Sequence, residues 1–270
     1  MARLLKKLLA SASVIAGMSG VFGAPAMAAT MTKATVNGAH LIYGINTDGN
    51  TDHTTGISAL DALNTDGANV ELSGTRAHNR AVDMNNATTL TTEFDDGSTL
   101  VFSSLTNDIW LGSATKEGYD SFLQQWFYEA WESSESGLAS WLSNVPAPPG
   151  ISMTDKVIAF NIFKNNNMYE RFSDPNVESV TKNGGSVSFD LSGHLDYEDQ
   201  YGWLKISEVV MVNDKIFYAF GDAVSSGVSD VDEQGSHDGI YTFQIPEPSA
   251  VLGIIAIGGM VAATKRRAQK

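Results

Sequence analysis

The chain has 270 residues, of which 31 are acidic and 17 basic, giving a formal net charge of -14, and it contains no cysteine. The missing cysteines exclude disulfides, thiolate metal sites, a cysteine nucleophile and a lipid-modified N-terminal cysteine. Seven basic residues lie in the two ends, so the intervening chain carries a net charge of about -20, which disfavours nucleic acid and anionic lipid as partners. This acidity is compatible with divalent cations or with solubility alone.

The first 28 residues have the three parts of a secretory signal peptide in order. Arg3, Lys6 and Lys7 form a basic start, and residues 8–22 form an apolar stretch. Ala26 and Ala28 are small residues at the positions that a signal peptidase requires. The sequence therefore predicts export through a secretion translocon and cleavage after Ala28, with Ala29 as the next choice. The alternative, an amphipathic helix of the mature fold, lacks a polar face.

Residues 29–245 are predicted to form one β-rich extracellular domain. Three hairpins are expected: one around Asn37 and Gly38, one joining residues 90–94 to 100–102, and one around Asn213 and Asp214 between residues 204–212 and 216–220. Further strands are predicted where apolar residues run together or alternate with polar ones. These strands cover residues 157–163, 187–191 and 240–245.

A helical segment interrupts this pattern at about residues 118–145. Apolar residues recur every three or four positions from Tyr119 to Trp131, which predicts an amphipathic helix over residues 119–132. Leu138, Trp141 and Leu142 indicate a further helical turn. The fold class expected is an antiparallel β-sandwich with a helical insertion. A division into two domains near residues 146–150 is the alternative.

Two acidic loops are candidate calcium sites. Asp48 and Asp52 flank Gly49, with side-chain oxygens at alternate positions. Asp230 and Asp232 begin a loop close to the EF-hand spacing, but Tyr241 stands where that motif needs a bidentate glutamate. Because turn chemistry alone enriches Asp, Asn and Gly, ordinary turns are the alternative explanation of both loops.

No catalytic motif is recognisable, so the chain is not expected to be an enzyme. His194 with Asp196, Glu198 and Asp199 is the densest group that would suit acid–base or metal chemistry, and exposed loop residues are its alternative. Helical spacing favours burial of Trp126 and Trp131, whereas Trp110, Tyr201 and Trp203 lie near predicted turns and are better placed to stack on sugars at the surface.

The C-terminal segment, residues 246–270, has three parts. Pro246, Glu247 and Pro248 precede an apolar run over residues 250–263, and Lys265, Arg266 and Arg267 follow. As a helix with a rise of ~1.5 Å per residue, these fourteen residues span about 21 Å, which is less than the hydrocarbon core of a bilayer, roughly 30 Å. Snorkelling of the basic side chains and local thinning of the bilayer would make up the difference. The basic cluster would stay in the cytoplasm, which leaves the preceding domain outside.

This arrangement resembles the PEP-CTERM sorting signal. The resemblance implies that an exosortase, a membrane transpeptidase of bacteria that secrete exopolysaccharide, recognises and processes the tail. It implies an exported protein, held transiently in the inner membrane and delivered to the cell envelope, cell surface or extracellular space. A non-catalytic binding or structural role in the polysaccharide layer is then expected; a secreted hydrolase acting on glycans or peptides is the alternative.

Overall fold

The structure is a computed structural model that describes residues 28–73, 82–145, 152–183, 186–199, 202–221, 223–225 and 239–246. Side chains are not described for residues 54, 194–199, 202–203 and 246. In chain order the strands are β1 (Ala28–Ala29), β2 (Met31–Asn37), β3 (His40–Ile45), β4 (Thr51–Asp52), β5 (Asn69–Leu72), β6 (Thr89–Phe94), β7 (Thr99–Ser103), β8 (Asn176–Asn183), β9 (Ser186–Asp199), β10 (Gly202–Ser207), β11 (Val210–Val212), β12 (Lys215–Phe217), β13 (Val224–Ser225) and β14 (Gly239–Pro246).

The described strands form two mainly antiparallel sheets. The larger has the order β13-β14-β9-β8-β5-β3-β4, with β1 also paired to β8 and β10 also paired to β9. The smaller has the order β12-β11-β7-β6-β2. This confirms the prediction that the chain is mainly β and antiparallel.

One apolar cluster lies between the two sheets. The smaller sheet contributes Leu90 and Phe102, and the larger contributes Val177 and Phe189, all fully buried. The rings of Phe102 and Phe189 meet edge to face with centroids 5.3 Å apart. Every second residue of β6 is buried, as period-two alternation requires of a strand with one face in a core.

Four of the five described helices build a second apolar cluster over the larger sheet, whereas the first helix contributes Ala59 and Ala62 to the cluster between the sheets. The helices are α1 (Ala59–Ala62), α2 (Asn107–Trp110), α3 (Phe122–Glu132), α4 (Leu138–Asn144) and α5 (Lys156–Asn165), with 3-10 turns at His53–Thr55 and Met168–Phe172. The second cluster joins α2 to α5 with Leu204 and Ile206 of β10, and we call these four helices the helical layer. Helices α3 and α4 confirm the two predicted helical segments. Helix α3 begins where Ser121 accepts a hydrogen bond from the Gln124 amide.

The prediction of a strand over residues 157–163 is wrong, because this segment is helix α5. Asp155 caps the helix by accepting hydrogen bonds from the Val157 and Ile158 amides. Phe160 and Phe163 enter the apolar cluster, while Val157 remains 55% exposed. The segment is thus a helix with one buried face. In so short an apolar run, the hydrophobic period does not distinguish a helix from a strand.

The predicted hairpin around Asn37 and Gly38 is also wrong. Strands β2 and β3 flank this turn, but β2 pairs with β6 in the smaller sheet and β3 pairs with β5 in the larger one. Gly38 has φ of +114°, and a Cβ there would lie 2.6 Å from Thr88 Oγ1. The glycine is thus explained by a chain crossing between sheets past Thr88.

The other two hairpins are present, one of them shorter than predicted. Strands β6 and β7 pair as expected. Strands β11 and β12 pair around Asn213 and Asp214, which have φ of 45° and 65° and so suit a tight turn with both central residues at positive φ. The strand predicted over residues 204–212 is split, since β10 belongs to the larger sheet and β11 to the smaller.

Within the described residues, no helix has both the length and the apolar character needed to cross a membrane. The predicted apolar run at residues 250–263, the rest of the tail beyond Pro246, and the signal peptide up to residue 27 lie outside the described part of the chain.

Candidate functional site

The last described strand ends on the first residue of the predicted processing motif. Strand β14 pairs with β9 along its whole length, from Gly239 opposite Gly193 to Pro246 opposite Ser186. Proline lacks an amide donor and cannot continue a ladder in which that donor is needed, so it suits the end of a strand. Glu247 and Pro248 lie outside the described residues.

The first described strand begins at the predicted cleavage position. In β1, Ala28 pairs with Asn183 and Ala29 with Lys182 of β8. Thr30 follows and is held twice by Asp95, whose carboxylate accepts from the Thr30 amide at 3.1 Å and whose own amide donates to the Thr30 carbonyl at 2.9 Å. The predicted cleavage after Ala28 would remove the Ala28–Asn183 pair and keep the contacts of Ala29 with β8 and of Thr30 with Asp95. Ala26 lies outside the described residues.

A lysine joins the two sheets beside this N-terminal strand. Lys182 Nζ lies 2.7 Å from Asp96 Oδ2 and donates to Ser98 Oγ at 2.8 Å, although the lysine side chain is only 10% exposed. The hydrogen bond from Lys182, followed by those from the Ser98 hydroxyl and amide, holds the pKa of Asp96 well below its usual range. The carboxylate is therefore ionised at every pH at which the protein is ordinarily handled.

We expect the Asp96→Asn substitution to lower the melting temperature at neutral pH and to matter progressively less in acid. A carboxyl group with a lowered pKa in the folded state adds stability above its ordinary pKa of about 3.9, and this contribution is lost as the pH falls below that value. Melting curves from about pH 7 to pH 2 test this. Asp66→Asn, at an exposed position, is the control; an Asp96→Asn deficit that is the same at every pH would contradict the prediction.

The first candidate calcium loop is organised by an asparagine. Asn46 Oδ1 accepts from the amides of Asp48 and Asn50, both at 3.0 Å, and Gly49 has φ of +81°. Asp48 is exposed, while Asp52 Oδ1 lies 4.0 Å from His53 Nδ1. In the described part of the chain, no group of three or more His, Asp or Glu is arranged to hold a metal. Asp230 and Asp232 lie outside that part, and calcium binding at either loop stays a prediction.

Trp110, a candidate for stacking on sugars at the surface, is not available for that role. Trp110 is fully buried, with its ring centroid 5.1 Å from that of Phe122 and 5.6 Å from that of Tyr169. Burial of Trp126 is confirmed, and Trp131 is half-buried and stacks on Phe127. The described tryptophans of this region therefore build the second apolar cluster. The remaining candidates are not tested. The structure does not describe Tyr201, nor the side chains of Trp203, His194, Asp196, Glu198 and Asp199.

A polar network that the sequence did not reveal fastens α3 to its surroundings. Gln125 Oε1 accepts from the Thr115 and Lys116 amides at 2.9 and 3.0 Å, and Gln125 Nε2 donates to the Tyr218 hydroxyl at 3.1 Å. Tyr218 in turn donates to Glu129 Oε2 at 2.7 Å. Burial, then this bond to Glu129, raises the pKa of Tyr218 well above its usual value. The tyrosine therefore stays protonated and acts as a donor that secures the helix.

Glu208 is a buried acid with a structural partner. It is 1% exposed, and its Oε2 accepts from the Asn176 amide at 2.5 Å. Glu178, 7% exposed, accepts in the same way from the Ser192 hydroxyl at 2.5 Å. Such contacts satisfy amides and hydroxyls inside the fold, and no sequence spacing marks them, because each joins residues that are distant along the chain.

We expect Glu208→Ala to lower the free energy of unfolding by about 1–3 kcal/mol, because it removes the acceptor of a buried amide. Glu208→Gln keeps an oxygen in place and should lose less. Denaturant unfolding of the two variants measures the difference. An alanine variant as stable as the parent chain would contradict this assignment of Glu208.

No protein-family model, curated protein or solved structure matches this chain.

Proposed function

We propose that the chain is an exported protein with a PEP-CTERM-type sorting tail. A signal peptidase removes residues 1–28, and the C-terminal helix then holds the body transiently at the inner membrane. An exosortase next processes the tail at Pro246, Glu247 and Pro248. The mature body resides at the cell surface or in the extracellular matrix, where it has a non-catalytic binding or structural role in an exopolysaccharide layer. We interpret its two sheets, which share one apolar cluster, as a β-sandwich.

The observation that carries the proposal is the order of three parts in the C-terminal segment. Pro246, Glu247 and Pro248 come first, the apolar run over residues 250–263 follows, and Lys265, Arg266 and Arg267 come last. The signal peptide predicted for residues 1–28 supports export of the same chain. The described strands, from β1 at Ala28 to β14 at Pro246, supply the body between the two signals.

The acidity of the body supports the same role. Apart from its two ends the chain has a net charge of about -20, which favours solubility in an extracellular layer, and it has no cysteine, so its fold does not depend on disulfides. The same charge repels nucleic acid and anionic lipid.

The mature C-terminus tests the proposal directly. The protein is expressed in an exosortase-containing host and in the same host without the enzyme, and the exported form is analysed by intact mass spectrometry. We expect loss of the tail only in the first strain and an intact Lys270 in the second. An intact Lys270 in both strains would refute the sorting assignment and would leave a simple membrane anchor in its place.

A further inference from the structure

The two ends of the described body meet at one end of the larger sheet. Strand β8 finishes at Asn183, which pairs with Ser186 at the start of β9. Ala28 pairs with Asn183 on the side of β8 that faces away from β9, and Pro246 pairs with Ser186 on the side of β9 that faces away from β8. Ala28, Asn183, Ser186 and Pro246 are therefore consecutive across the sheet, and we call these four residues the terminal row.

The terminal row is short. Paired strands lie about 4.8 Å apart, so three steps separate Ala28 from Pro246 by about 14 Å. Strand β14 runs toward the row and reaches it at Pro246, whereas β1 begins at the row and runs into the sheet. The signal peptide and the sorting tail are thus attached at the same end of the body.

The chain between the terminal row and the tail helix is also short. The apolar run begins at residue 250, four residues after Pro246, and four residues span at most about 14 Å even when fully extended. When the run is inserted in a bilayer, Pro246 has to stay within this distance of the membrane surface. A compact body of this length has a radius of gyration of about 17 Å, more than the connection, so it cannot rotate freely beside the bilayer.

The helical layer lies toward the opposite end of the same sheet. Strand β9 runs from Ser186 in the terminal row to Asp199, and β10 pairs only with its far part, from Gly193 to Asp199. Helix α4 packs on β10. Gly193 is seven residues along β9 from the row, a separation of about 23 Å at the ordinary rise of a strand.

We propose that the end of the sheet marked by the terminal row, of which Asn183, Ser186 and Pro246 remain once the signal peptide is removed, is the membrane-facing surface of the chain that still carries its tail. The body stands on this end with the helical layer directed away from the bilayer. This inference rests on the proposed function, since it requires the tail helix to be inserted. The partner is the lipid surface itself. The short tether that begins at Pro246 in the row sets the orientation.

Energy transfer from single labelled sites to the lipid surface tests the orientation. The chain has no cysteine, so one introduced cysteine carries the only thiol-reactive donor dye. Ser186→Cys places it in the terminal row, and Ser140→Cys places it on α4; both serines are exposed, and the two substitutions are chemically identical. The exported form from the host without an exosortase, which has lost residues 1–28 and keeps its tail, is reconstituted in phosphatidylcholine vesicles that contain an acceptor-labelled headgroup. Flotation isolates the bound fraction.

We expect clearly stronger transfer from position 186, corresponding to a site about 20 Å or more closer to the bilayer than position 140. A flexible insertion of twenty Gly and Ser residues after Pro246 should remove most of this difference. Equal transfer from both positions, or stronger transfer from position 140, in chain that floats with the vesicles would overturn the orientation alone. Chain that does not float would overturn the membrane-inserted tail and the orientation together.

Discussion

Replacing Trp126 by alanine should destabilise the body by about 3–5 kcal/mol, the range for removing a fully buried aromatic side chain. Trp126 is the centre of the second apolar cluster. Its ring lies 4.8 Å from Phe172, 5.7 Å from Trp110 and 5.9 Å from Phe163. The rings around Trp126 are closely packed and cannot shift far enough to fill the space of an indole, so a cavity remains in the alanine variant. Denaturant unfolding, followed by far-ultraviolet dichroism, gives the change in free energy.

Trp131, on the same helix, is the matched control. It stacks on Phe127 with centroids 5.8 Å apart but is only half-buried, so Trp131→Ala should cost clearly less than Trp126→Ala. If the two variants lost equal stability, or if Trp131→Ala lost more, Trp126 would not be the centre of a packed layer. The comparison also separates a structural role for these tryptophans from a sugar-binding one, since only a structural role predicts this order of stability.

The sequence predicted correctly those strands in which the alternation of apolar and polar residues matches the alternation of buried and exposed side chains. Strand β6 alternates buried and partly exposed residues, and Asn213 with Asp214 supplies the positive φ that its turn needs. Helix α3 was equally clear, because its aromatic residues recur at helical spacing. In these segments the local sequence and the tertiary environment favour the same structure.

The errors arose where tertiary contacts decide between local alternatives. Residues 157–163 have no visible period, and the cap at Asp155 together with the packing of Phe163 makes them helical. The Asn37 and Gly38 turn has hairpin chemistry, yet its two strands pair with β6 and β5, which follow later in the chain. Trp110 lies close to a polar stretch, and its burial depends on Phe122, Trp126 and Tyr169, which pack against it from other parts of the chain.

The terminal row was beyond sequence analysis for a related reason. Both signals are readable from their own residues, but their separation depends on pairing between Ala28 and Asn183, which are far apart in the chain. No local propensity encodes such a register, since the partner strands are selected by the whole core. The residues of each end therefore predict the localisation of the chain. Only the sheet topology shows that Ala28 and Pro246 lie at the same end of the larger sheet.

Replacing Glu247 by alanine should abolish processing of the tail while leaving export and folding intact. The described pairing of β14 with β9 extends to Pro246, and none of the described contacts of the body involves Glu247. Pro246 and Pro248 fix φ on both sides of Glu247 and disfavour helix there, which leaves this single carboxylate as the charged feature that an enzyme can select. Gln244→Ala, an exposed change on β14 three residues earlier, is the control and should be processed normally.

Intact mass spectrometry of the envelope and culture fractions measures the outcome in an exosortase-containing host. For Glu247→Ala we expect the signal peptide to be absent, Lys270 to be present, and the melting temperature of the purified protein to match that of the parent chain. Retention of the tail in Gln244→Ala as well would show that the body, and not the motif, had been disturbed. Normal processing of Glu247→Ala would show that the enzyme does not recognise this carboxylate. Recognition would then depend on the two prolines and on the depth of the apolar run in the membrane.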